Sequence, residues 1–396
     1  MEIINTILKQ MSNISKPQQK FLIVLLTTLM LLRGRVNFRN LSRYSDLCEK
    51  TYSRQFRKPF DFVEFNRLGV SATIPRSHTQ IGAIDCSFIN KSGNHTYGLG
   101  KFYDSKSDKA AKGLEISTIS IVDVDYNTAY TISTRQTPVI DDPNKTRMDW
   151  YLEHLEQDRY ALWPTICYLA HDGFYQKVKF IDGVIALGLH SVGKLRCDAN
   201  LRYLYHGPQK PCGRPKRYNG KVRFNDLSRF ELAAIDGKQR VYTAVVNSVS
   251  LKRDIRIAYI VKQDGNRIST ALLFCTDINL PATEIYRYYK ARFQIEFLFR
   301  DAKQFTGLLD CQARCEQSLH FHFNASMTAL NLLKMHDRQL TENSEGKVIS
   351  ILSWKIKKFN EHFIEHIFSM LELDLSLIKS NPQYEDILKY GTIDGC

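Results

Sequence analysis

Three acidic side chains in this 396-residue chain stand where a carboxylate needs a reason. Asp85 lies inside Ile81-Gly82-Ala83-Ile84-Asp85-Cys86-Ser87-Phe88, an apolar run that predicts a strand. A carboxylate in such a run is costly unless it is paired or metal-bound. Asp172 follows a second apolar run, Thr165-Ile166-Cys167-Tyr168-Leu169-Ala170, and precedes the turn-former Gly173. Ligands of open α/β sheets gather at the carboxyl ends of strands. The third acid comes from Ala282 to Gln304, which contains neither Gly nor Pro and predicts one long helix. On it Tyr289, Arg292, Glu296 and Lys303 are spaced by three, four and seven residues, which puts them on one face. Asp85, Asp172 and Glu296 offer hard oxygen ligands, which suit Mg²⁺ (or Mn²⁺ as a substitute) better than zinc. Two such ions could activate a water or a 3′-hydroxyl for in-line displacement at phosphorus. The same spacing also admits a bland reading, in which the two aspartates cap turns and Glu296 pairs with Arg292.

The elements that must position these residues follow from the pattern. Residues 1–75 predict a helical region, with Pro17 near the start of one helix and Gly34 beyond its end. Short helices follow, with arginines between apolar positions, and suit a small DNA-binding region. Residues 76–181 alternate strands with one helix and predict the first part of a mixed sheet covered by helices. Residues 182–280 carry strand-like pieces (Gly183–Leu189, Arg240–Val249, Ile255–Val261, Ile268–Cys275) between basic turns and read as a β-rich insertion. Residues 281–340 return to helix and complete the core, and residues 341–396 form a charged helical tail.

Charge narrows the partners. The formal net charge is +14. Residues 1–80 carry +8, residues 191–260 carry +10, and residues 341–396 carry −3. Two basic regions apart from an acidic tail fit a chain that grips a polyanion, although solvated basic faces would give the same count. Within the insertion, Gly213-Arg214-Pro215-Lys216-Arg217 makes a stiff basic turn suited to a minor groove or a phosphate edge. Asp198, among basic residues, ranks below the three acids as a fourth. Nine scattered cysteines without a framework spacing read as free thiols in a reducing compartment. Cys311, Cys315, His320 and His322 do not have the spacing of a zinc finger and read as buried thiols and helix-surface histidines. The apolar run Phe21 to Leu32 is too short to span a bilayer, so no membrane partner is expected.

Tyr289-Lys290-Ala291-Arg292-Phe293-Gln294-Ile295-Glu296, continuing to Lys303, resembles the Y-x2-R-x3-E-x6-K signature of bacterial cut-and-paste DDE transposases of insertion sequences. The blocks Ile84-Asp85-Cys86-Ser87-Phe88 and Ala170-His171-Asp172-Gly173-Phe174-Tyr175 resemble the segments that hold that family's two aspartates. The resemblance implies an α/β fold: an RNase H-like mixed sheet flanked by helices, interrupted by a β-rich insertion, with helical N- and C-terminal regions. It implies Asp85, Asp172 and Glu296 as the metal-binding triad, and Tyr289, Arg292 and Lys303 as contacts to DNA phosphates. It implies double-stranded DNA as partner, both element ends and target DNA, a homodimer in the synaptic complex, and a bacterial, cytoplasmic, nucleoid-associated location. The tryptophan that some members place near the glutamate has no match, since Phe293 stands there. Two alternatives remain at this point: a nuclease of the same fold without strand transfer, and an inactive end-binding DNA regulator.

Overall fold

The computed structural model describes residues 2–104, 106–140, 142–162, 164–265, 267–340 and 349–393. Five helices open the chain: α1 (Glu2–Gln10), α2 (Lys16–Leu31), α3 (Phe38–Leu41), α4 (Glu49–Gln55) and α5 (Phe62–Thr73). Ser15 caps α2 and Pro17 sits in its first turn, where a missing N–H costs nothing. Phe21, Leu22, Leu25, Leu26 and Leu29 are all buried, so the apolar run is a core helix. Among the described residues no helix is long and apolar enough to cross a membrane.

Four strands follow: β1 (Gln80–Asn90), β2 (Gly100–Asp104), β3 (Lys109–Asp123) and β4 (Thr128–Gln136). Then come α6 (Arg147–Gln157), β5 (Tyr168–Ala170), α7 (Val178–Ala186) and β6 (His190–Leu195). β1 runs antiparallel to β3, and β3 antiparallel to β4, whereas β5 joins β1 in parallel and β6 joins β5 in parallel. The order β4-β3-β1-β5-β6 is the RNase H-like arrangement, an antiparallel meander continued by two parallel strands. Alternation along the strands supplies both faces. Ser117 and Ser133 turn to His154 of α6, while Thr118 and Thr134 share a hydrogen bond on the other face.

The β-rich stretch continues this sheet. It comprises β7 (Leu201–Leu204), β8 (Tyr218–Lys221), β9 (Glu231–Asp236), β10 (Gln239–Ser248), β11 (Arg253–Asp264) and β12 (Arg267–Cys275). β12 pairs antiparallel with β6, and β11, β10, β7 and β8 follow outward, making one twelve-stranded sheet. The strand expected at Gly183–Leu189 is instead the end of α7 and the turn after it. Phe180, Ile181 and Val184 bury a helical stripe there, and the strand begins at His190. A short apolar run does not reveal its own period, which is why the sequence misleads at this point.

Among the described residues six helices follow: α8 (Ala282–Ala291), α9 (Gln294–Phe305), α10 (Glu316–Leu340), α11 (Ile351–Met370), α12 (Leu375–Lys379) and α13 (Tyr384–Leu388). α10 crosses the sheet and gathers the N-terminal helices onto it. Phe321 meets Phe56 and Phe62 at ring separations of 4.6 and 5.0 Å. The N-terminal helices are therefore part of the same core as the sheet. Of the final segment, residues 341–348 and 394–396 lie outside the described residues.

Candidate active site

The helix expected over Ala282 to Gln304 is broken. α8 ends at Ala291 and α9 starts at Gln294. Across the join the backbone tightens to i→i−3 bonds: Phe293 N–H to Lys290 O, Ile295 N–H to Arg292 O and Glu296 N–H to Phe293 O. No Gly or Pro marks the break, so composition carries no sign of it. Tyr289 and Glu296 consequently belong to different helices, with Arg292 at the corner.

That corner turns Arg292 inward. Its guanidinium is buried, donates from Nη2 to Glu296 Oε1 at 3.0 Å and lies 3.6 Å from Asp85 Oδ2. The rings of Tyr289 and Phe293 flank it at 5.3 and 4.7 Å, so the Phe293 ring packs on a cation. Among the described residues Arg292 Nε and Nη1 have no hydrogen-bond partner, Nη1 being the atom 3.6 Å from Asp85 Oδ2. A buried guanidinium with two unspent donors is costly, and an anionic oxygen would satisfy it.

Asp85 sits in the middle of β1 and accepts from the Cys86 N–H at 2.8 Å. Burial raises its carboxyl, the Asp172 charge raises it further, and together they push it up to about 7 against the pull of Arg292. Asp172 follows β5, as the parallel pairing requires, and accepts from the Phe174 N–H at 2.9 Å. Burial raises its carboxyl too. Next to it, buried His171 donates from Nδ1 to the Asp172 carbonyl at 2.9 Å, which leaves Nε2 to accept from Ser191. Burial holds its imidazole down at about 4. Gly193 on β6 makes room for this ring, since a Cβ there would lie 2.7 Å from it. Asp85, Asp172, Glu296, Arg292 and Tyr289 therefore share one electrostatic site.

Three carboxylates are the donor type that suits a hard divalent cation. Among the described residues, however, Asp85, Asp172 and Glu296 do not gather their ligand atoms within 4.8 Å of one another. Lys303 is elsewhere. It is half-buried seven residues beyond Glu296, about 10 Å along α9, and burial and the charge of Lys106 lower its ammonium. Arg214, Lys216 and Arg217 are exposed between β7 and β8, with Lys216 clipped to Gln209 by two hydrogen bonds. That turn is seven strand spacings from β1, roughly 34 Å across the sheet. Asp198 is exposed and held by two bonds from Arg196.

Sequence reasoning missed one cluster. His78, Asp123 and Asp125 hold their ligand atoms within 4.8 Å of one another and have the capacity for a divalent metal. They lie at the amino end of β1, roughly 17 Å from Asp85 by strand rise. Asp123 already takes His78 Nδ1 and the Asp125 and Tyr126 N–H groups, and Asp125 takes the Thr79 N–H and Arg287. Forty-five residues of separation and a strand pairing give no sequence signal for it. The eight described cysteines are free thiols. His322 bonds the Gly307 carbonyl and is buried rather than on the helix surface, and Cys315 bonds Ser318.

Residues 78–332 match the family described as transposase DDE domain, which covers well over half of the chain. The chain belongs to that family. Among curated proteins no match was found. Family membership with the His78, Asp123 and Asp125 cluster supports a metal-dependent, nuclease-like hydrolytic activity.

Proposed function

We propose that this protein is a DNA transposase that cleaves phosphodiester bonds at insertion-sequence ends and joins the freed 3′-hydroxyls to target DNA. The observation that carries the reading is Arg292, buried between Asp85 and Glu296 with two N–H donors unspent. In this reading Arg292 donates from Nε and Nη1 to non-bridging oxygens of the scissile phosphate, and the planar fork fixes that phosphate's orientation. The Tyr289 hydroxyl adds one neutral hydrogen bond. Asp85, Asp172 and Glu296 would hold Mg²⁺ or Mn²⁺, and the ion would supply Lewis acidity for displacement at phosphorus. Asp85 must lose its proton to hold a cation, so the affinity for Mg²⁺ should rise with pH toward about 7. Met370, Leu371, Leu373 and Leu377 are exposed in the C-terminal region, and they support pairing of two copies in a synaptic complex. Light scattering of the protein with and without DNA checks that pairing.

The test uses labelled duplex carrying the inverted repeats that flank the gene, supercoiled target, and Mg²⁺ or Mn²⁺. Wild-type protein nicks the ends and joins them. Asp85→Asn, Asp172→Asn and Glu296→Gln each abolish nicking while the gel shift on end DNA persists. Full activity in any one of the three removes that residue from the site. Cleavage without joining in both metals would replace this reading with the nuclease.

A further inference from the structure

The β2–β3 hairpin carries Lys101, Lys106, Lys109 and Lys112 against Asp104 and Asp108. Lys101 and Lys112 stand directly opposite each other in the antiparallel register, and both are exposed. Like charges directly opposite across a ladder are destabilising, so this pair works against the hairpin that carries it. The two acids do not relieve it, because they are turned onto the tip. Asp104 accepts from the Lys106 N–H and Ser107 Oγ, and Asp108 accepts from Tyr103 at 2.5 Å. These bonds preorganise the tip, with Asp108 at φ 52°. Lys112 gives one donor to Asn94, which leaves two for a ligand.

The hairpin lies at the carboxyl end of β1, the end toward which both aspartate strands run. Thr118 is directly opposite Asp85, and Lys112 is six residues before it on β3, a rise of about 20 Å. At 3.4 Å per base pair that is about six base pairs of duplex. Lys303 faces the same hairpin, with Lys106 and Asp104 as its charged neighbours. Lys303 on α9 thus lies beside the basic hairpin, on the side of the candidate active site.

We propose that the β2–β3 hairpin is a backbone rail for duplex DNA, in which Lys101 and Lys112 take phosphates about six base pairs from the bond to be cut. Lys106, on the tip beyond that pair, and Lys303 beside it extend the basic surface. The proposal rests on the DNA-cleaving reading above, and it adds a contact that the signature residues do not include. An edge strand also uses lysines to block pairing with other chains, and this is the competing explanation.

Full-length wild type, Lys101→Gln/Lys112→Gln and Lys101→Glu/Lys112→Glu are titrated by fluorescence anisotropy against a labelled duplex of about 30 base pairs, at about 50 to 200 mM KCl. The neutral pair is expected to shallow the slope of log K against log salt by about two units, near 0.9 per lost phosphate contact. Its thermal midpoint should match or exceed wild type, because a repulsive pair has been removed, so lost binding is not lost folding. An unchanged slope in both variants while wild type binds leaves the lysines as edge protection and overturns the rail alone. A wild type that binds no duplex overturns both the rail and the reading beneath it.

Discussion

Asp85 lowers the stability of the fold above neutral pH when no cation is supplied. Its carboxyl moves from 3.8 to about 7 on folding, chiefly through burial and then through Asp172. Between those values the native state binds the extra proton, so stability falls as pH rises through the window. Asp85→Asn keeps the shape and the Cys86 N–H contact but has no charge to bury. With chelator present, the variant should be more stable than wild type by about 4 kcal/mol at pH 8, with the gap largely closed at pH 4. Thermal unfolding at the two pH values reads this directly. Added Mg²⁺ should raise the midpoint of wild type at pH 8 and leave Asp85→Asn nearly unmoved. An equal rise in both would place the ion elsewhere, with the His78 cluster as the first alternative.

At the scale of elements, α10 holds the outer strand of the meander through side-chain amides. Asn324 Oδ1 accepts from the Thr134 N–H and its Nδ2 donates to the Thr134 carbonyl, at 3.1 and 2.8 Å. Asn331 does the same at Thr131, at 2.9 and 2.7 Å. Seven residues of helix rise about 10.5 Å, and three residues of strand rise about 10 Å, so the two spacings match. Asn331 also donates to Asn66 of α5, which ties the N-terminal helices to the same strand. Asn331→Ala leaves a buried N–H and C=O without partners and should cost about 3 kcal/mol in urea unfolding. Little change would mean that water replaces the amide. The broken helix makes a second forecast. Arg292 and Lys303 now serve different places, one at the carboxylates and one toward the hairpin. Arg292→Ala should impair both cleavage and joining, whereas Lys303→Ala should mainly weaken retention of pre-cleaved, labelled ends. Tyr289→Phe, which removes one neutral bond, should cost least in joined product.

At the scale of the molecule, one sheet links the site to its distant basic edge. The turn at Arg214, Lys216 and Arg217 is roughly 34 Å from β1, about one helical turn of duplex. A contact at that range adds affinity without touching the reacting phosphate. Replacing the three basic side chains with alanine should lower affinity for end and random duplex alike and shallow the salt slope by up to about three units. Nicking at saturating protein should persist. An unchanged slope would show a solvated turn.

The sequence by itself determined the class of fold and the family. Apolar strands interrupted by Asp85 and ended before Asp172 are local patterns, and so is the helical run bearing Glu296, because burial imposes them one element at a time. It also singled out Arg292, since residue type and spacing were enough to bring it near a carboxylate. Tertiary structure alone decided three things. The break between α8 and α9 accompanies an Arg292 turned inward to two carboxylates, one of them two hundred residues away, and no Gly or Pro records it. The identity of residues 183–189 depended on which neighbours buried Phe180, Ile181 and Val184, and a short apolar run is silent on that. The company of Lys303, and the pairing of Lys101 with Lys112, followed from strand register, which couples residues whose separation in sequence says nothing about their distance.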